Sequence, residues 1–328
     1  MHTRSEWSDS ILMARFVLGW AGSAGFDPDR LARAAGVPSW TEGGESKRIS
    51  RRYFTRLWEL LEQESGDPEI ALRVATDTAI GHLGLLEYLF LSAPTLGAAI
   101  DTCIRHFGSL TTSYALRIAH RTDAEVTYEL LCAPDDSRGR ELLMHAAFAL
   151  LTTRARAATR ARVDPVRLTF RQPTIGAVDA FIELFGTSAI EFGAVADTLT
   201  LRAADLELPV TTADPTLSAV LHGYAATMPA PPEFTVTLID RLAAALDVAL
   251  AEGPVTLDAV ARRLLTSPRS LQRRLAESGT SWRRELDRAR RRRLENVADL
   301  PRARQAELLG YSDPASLRRS VQRWRDRP

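Results

Sequence analysis

The sequence predicts an α+β N-terminal domain, mostly helical with a small antiparallel sheet, followed by an all-α domain with two helix-turn-helix units. Three observations lead to this reading. Helical spacing dominates residues 1–226, broken by a few short segments of strand-like alternation. Three prolines within residues 229–232 break helix and stiffen the chain. Beyond them, two segments repeat one pattern, Thr256–Trp282 and Ala303–Trp324, around an arginine-rich helix.

In chain order, helices are expected at Trp7–Ala24, Pro28–Ala35, Ser50–Ser65, Pro68–Ala75, Gly84–Ser92, Leu96–Phe107 and Gly139–Ala161. Strands are expected at Ser113–Ala119 and Ala124–Leu131, a hairpin turned at Arg121-Thr122-Asp123, and at Arg167–Arg171 and Thr198–Arg202. In the hairpin, Val126, Tyr128 and Leu130 share one face. At 328 residues, the length suits two domains, divided as 1–226, a proline-rich linker at 227–234, and 235–328. A helix resumes at about Thr235–Glu252 after the linker.

Thr256 is a good N-cap, and Asp258 lies in the first turn, where the helix dipole favours a carboxylate. Leu257, Val260, Ala261 and Leu264 form one apolar face. Ser267 caps the second helix, with Pro268 at its first position, where a missing N–H costs nothing. Leu271 and Leu275 face inward, Arg269, Gln272, Arg273 and Ala276 share the opposite face, and Gly279 ends the helix. The linking helix, about Trp282–Ala298, contains Arg290-Arg291-Arg292-Arg293, which wrap around it and are expected mostly in solvent or beside phosphates.

Residues 254–328 hold 19 Arg, no Lys and 9 acidic residues, a net +10. The whole chain carries only +1, so residues 1–253 carry −9. A basic tail on an acidic body points to a polyanion partner for the tail. A short exposed helix offering Arg, Gln and Arg suits the major groove, where Arg grips guanine and Gln adenine with two hydrogen bonds each.

These tail segments, LDAVARRL (257–264), SPRSLQRRLAESGTSW (267–282) and GYSDPASLRRSVQRW (310–324), resemble the DNA-binding domain of the AraC/XylS family of bacterial transcription regulators. The resemblance implies two helix-turn-helix units that present recognition helices to successive major-groove turns. Carried over by position, the DNA-contacting residues are Arg269, Ser270, Gln272 and Arg273 in the first unit and Ala315, Arg318 and Arg319 in the second. Arg291 is added as a phosphate contact. Two departures carry structural expectations. Leu265 stands where the family usually has Gly, and leucine avoids the left-handed conformation. Gln305 stands where an apolar core residue is expected, without an obvious partner, and the connection there looks about two residues short. An alternative therefore stays open: a small-molecule-binding or oligomerising protein whose second unit has decayed and which binds DNA weakly.

The N-terminal stretches GHLGLLEYLFLSAPTLGAAID (81–101), DPVRLTFRQP (164–173) and IEFGAVADTLTLRAADLELPV (190–210) are similar to the arabinose-binding-type domain of many longer family members, not to a cupin barrel. This implies an effector-sensing, oligomerising domain at 1–226. Tyr88 and His106 are the candidates for polar lining of an effector pocket.

Enzyme chemistry finds little support. The sequence has no phosphate loop, GxGxxG or GxSxG, and neither Cys103 nor Cys132 is in CxxC spacing. The six histidines show no metal-ligand pairing on one helix. No cofactor or metal is expected. No stretch of 18 or more apolar residues occurs, and the N-terminus lacks a signal-peptide pattern, so a cytoplasmic protein is expected. The expected partners are promoter DNA and a small-molecule effector, with RNA polymerase added if the protein activates. A homodimer is left open.

Overall fold

The computed structural model describes residues 7–326 except 38, 45–46, 79–80, 134, 136, 174–177, 229–233, 235–236, 254, 297–299 and 312. The chain divides into two compact units, Met1–Ala133 with Ser137–Phe234, and Pro134–Asp136 with Thr235–Pro328. The prolines of the expected linker lie outside the described residues.

The first unit starts with β1 (Ser8–Ser10), α1 (Ile11–Ser23), α2 (Pro28–Ala35), β2 (Arg48–Ser50), α3 (Arg51–Ser65), α4 (Ile70–Asp77), α5 (Leu85–Ser92) and α6 (Leu96–Leu110). Helix had been expected from Trp7, but Ser8–Ser10 pairs antiparallel with Arg48–Ser50. Ser10 then caps α1 by accepting from the Leu12 N–H, because short polar side chains favour cap over helix interior. Asp9, buried, accepts a 2.6 Å bond from the Thr111 hydroxyl. Burial pushes its carboxyl above the usual range, against the lowering effect of that bond and of Arg51 and Arg48.

The second half holds β3 (Tyr114–Arg121), β4 (Glu125–Cys132), α7 (Arg138–Thr159), β5 (Arg167–Phe170), α8 (Asp179–Phe185), β6 (Ile190–Phe192), β7 (Thr198–Arg202), α9 (Ala203–Leu206) and α10 (Pro215–Thr227). The sheet has order β3-β4-β7-β5-β6. It is mixed, not antiparallel as expected: β6 pairs parallel with β5. A parallel pair needs a crossover, and α8 supplies it. Neither β6 nor α8 is expected from the sequence.

Leu142, Met144, Phe148 and Ala149 of α7 share one core with Tyr128, Leu168, Phe170 and Leu199 of the sheet. Two polar features sit inside this core. Arg140 and Asp197 form an ion pair with both side chains almost fully buried, and Asp197 also accepts from the Arg171 N–H at 2.9 Å. Breaking such a pair leaves an uncompensated charge, at about 3–5 kcal/mol. His145 lies edge-on to Phe170 and Phe181 at 5.2 and 4.8 Å and contacts Gln172. Burial, reinforced by Arg138 and Arg140, pushes its pKa down to about 3, so the ring is neutral.

The second unit is helical throughout its described elements: α11 (Leu238–Glu252), α12 (Leu257–Arg263), α13 (Pro268–Glu277), α14 (Trp282–Asn296), α15 (Arg302–Leu308) and α16 (Pro314–Asp326). Thr237 and Asp240 cap α11 reciprocally. One small core gathers Leu242, Leu246, Val260, Ala261, Leu271 and Leu275. A second gathers Ala306, Leu309 and Leu317, with Leu294, Tyr311 and Val321 packed against it.

Candidate nucleic-acid interface

The two short-helix, turn, longer-helix segments are built by the same backbone bonds. Thr256 caps α12, accepting from the Ala259 N–H at 3.2 Å, and Val260 and Ala261 anchor it in the core. At its end the Thr266 N–H donates to Ala261 O and the Leu265 N–H to Arg262 O, the two bonds of a Schellman closure. At the end of α15, the Tyr311 N–H donates to Ala306 O and the Gly310 N–H to Glu307 O. The left-handed residue is Gly310 at φ 68° in the second turn and Leu265 at φ 52° in the first. Leu265 was expected to avoid that conformation. It adopts it because only a positive φ there lets both bonds form, and its side chain stands 96% exposed.

The turn delivers Ser267, whose hydroxyl accepts from the Ser270 N–H and starts α13. Leu271 and Leu275 are fully buried. Arg269, Gln272, Arg273 and Ala276 are exposed together on the opposite face, and Ser270 is half-buried beside the cap. Arg273 donates from Nη1 to Glu277 Oε1 at 2.9 Å. In α16, Asp313 accepts from the Ser316 N–H, Leu317 and Ser320 are buried, and Ala315, Arg318 and Arg319 are exposed. Arg319 donates to Ser316 Oγ at 2.8 Å, and that hydroxyl donates to Asp313 at 2.7 Å.

The arginine run of α14 departs from expectation. Arg290 donates to the carbonyls of Leu309 and Gly310 at 2.9 and 3.1 Å and lies 4.2 Å over the Tyr311 ring. Arg293 donates to Leu308 O at 3.0 Å. Arg291 is half-buried with its guanidinium 5.4 Å from the centre of the Trp324 ring, not standing in solvent. The end of α15 leaves orphan carbonyls that Arg290 and Arg293 satisfy. The three-residue spacing of Arg290 and Arg293 places both on one helix face but does not say what that face meets.

Gln305 is buried, as its position suggested, but it does have partners. Its Nε2 donates to Leu300 O at 2.8 Å, and its Oε1 accepts from Arg302 at 2.7 Å. The connection judged short includes residues 297–299, outside the described residues.

Residues 25–210 match the model of the arabinose-binding N-terminal domain of AraC transcription regulators, more than half of the chain. The chain belongs to the AraC family of transcription regulators. Among relatives, it is 28% identical over 309 residues to the HTH-type transcriptional regulator VirS of Mycobacterium tuberculosis, covering 92% of this chain and 88% of VirS. It is 25% identical over 320 residues to the ornithine utilization regulator of Pseudomonas aeruginosa, covering 96% and 93%. The crystal structure of the transcriptional regulator CdpR from Pseudomonas aeruginosa aligns over 95% of both chains with 21% identity and a TM-score of 0.48.

In this AraC-family regulator, the residues expected to line an effector pocket lie on two helices. Tyr88 on α5 is 51% exposed. His106 on α6 is half-buried and meets the His222 ring of α10, with centroids 5.8 Å apart. Burial lowers its pKa, helped by His222 and Arg105. Phe90 and Tyr114 belong to the core. The Cys103 thiol is pushed up to about 12 by burial and by Glu87. Among the described residues, no group of three or more His, Cys, Asp and Glu could hold a metal ion, and no helix is long and apolar enough to cross a membrane.

Proposed function

We propose that α12–α13 and α15–α16 act as two helix-turn-helix units that read successive major-groove turns of promoter DNA, with α13 and α16 as the reading helices. The observation that carries this is the division of α13: Leu271 and Leu275 are buried while Arg269, Gln272 and Arg273 are exposed together. Those three would contact base edges, with Ser270 at the helix start, and Ala315, Arg318 and Arg319 would serve in α16. Arg291 would contact a phosphate from its place beside the Trp324 ring. Residues 1–226 would sense a small molecule, with Tyr88 and His106 among its contacts, and residues 235–328 would bind DNA. The protein is read as a cytoplasmic binding protein, not an enzyme. RNA polymerase would be a partner if it activates, and a second copy would join through the N-terminal domain.

The test is duplex binding by the full chain. Arg273→Ala should cost about 1–3 kcal/mol on a cognate duplex obtained by selection, and much less on random duplex. Equal losses on both would mean that Arg273 does not read bases.

A further inference from the structure

Glu277 stands where physical rules give a carboxylate little support. It is the last residue of α13, at the negative end of the helix dipole. Its ion-pair partner Arg273 precedes it by four residues, the weaker orientation for an i,i+4 pair. It also adjoins the exposed cationic face proposed to meet a polyanion. Neither helix stability nor attraction to phosphate accounts for an acid there. Broken local rules of this kind gather at functional sites.

The geometry of the pair suggests the function. Glu277 takes the Nη1 group of Arg273. A guanidinium has five N–H donors, and its Nε–Nη2 edge suffices to grip guanine O6 and N7. Ordering a long Arg side chain costs rotamer entropy, and a partner that already holds it reduces that cost on binding. In α16 the comparable arginine, Arg319, is held by the Ser316 hydroxyl instead.

Building on the reading of α13 as a base-reading helix, we propose that Glu277 is a positioning residue for sequence readout. It holds Arg273 by Nη1 so that the Nε–Nη2 edge is left for a guanine, and its charge weakens binding that depends on phosphates alone. Glu277 thus sets the ratio of cognate to random affinity.

The experiment compares the full chain with Glu277→Ala, Arg273→Ala and the double variant on cognate and random duplexes across a salt series. Glu277→Ala should bind random duplex several-fold more tightly and steepen its salt slope by about one. Cognate affinity should hold or fall, so the ratio drops about fivefold, the scale of one exposed ion pair. In the Arg273→Ala background, removing Glu277 should shift both duplexes alike. An unchanged melting temperature shows that the loss of discrimination is not a folding defect. If Glu277→Ala leaves the ratio unchanged while Arg273→Ala lowers it, the positioning role is wrong and the reading of α13 stands. If Arg273→Ala also leaves the ratio unchanged, both fall.

Discussion

At the scale of single residues, Leu265 and Gly310 form an internal comparison. Both close a Schellman turn with positive φ, but leucine is strained there by its Cβ and glycine is not. Because the Leu265 side chain is exposed, replacing it removes little packing. Leu265→Gly should therefore stabilise the protein by about 0.5–1 kcal/mol, after the added freedom of glycine in the unfolded chain is subtracted. Gly310→Leu should destabilise. Urea unfolding of the two variants checks both signs. His145 gives a pH dependence of known sign. Its folded pKa of about 3 lies below the ordinary 6.5, so the unfolded chain takes up a proton first. Its contribution is intact above pH 6.5 and is lost as pH falls from there toward 3, at up to about 1.4 kcal/mol per unit. A His145→Leu variant should show a correspondingly shallower decline between pH 6.5 and 5. Parallel declines would mean that the ring charges freely in the folded state.

At the scale of elements, α14 is a structural clamp as much as a spacer. Arg290 makes two charge-assisted bonds to the carbonyls at the end of α15 and covers Tyr311. Arg290→Met should cost about 1.5–3 kcal/mol, the scale of bonds to a charged group. The loss should be local: hydrogen exchange should quicken in residues 302–326 and stay unchanged in α12 and α13. Equal quickening in both would mean that the second helix pair has no stability of its own to lose. Which elements were legible in the sequence follows from the same physics. Helix α2 and strand β7 lie at the residues expected, since spacing and turn residues there are local signals. The three-residue strands β1, β2 and β6 carry no periodicity, and only their partners define them. The buried positions Leu271 and Leu275 could be read from spacing. The attachment of Arg290 and Arg293 to α15 could not, because it depends on a contact fifteen to twenty residues away. Gln305 was rightly read as buried, but its partners, Leu300 O and Arg302, required the fold of that turn.

At the scale of the whole molecule, the net +10 of residues 254–328 against the −9 of the remainder concentrates polyanion affinity in one unit. Part of that charge is committed internally by Arg290 and Arg293. What is left exposed includes the faces of α13 and α16, so binding should rest on two reading helices more than on a diffuse basic surface. The most direct test is a hydroxyl-radical footprint of the full chain on a selected duplex. Two protected windows on one face of the DNA are expected, separated by one helical turn of about 10–10.5 base pairs. A single window spanning one major-groove turn would contradict the two-unit reading.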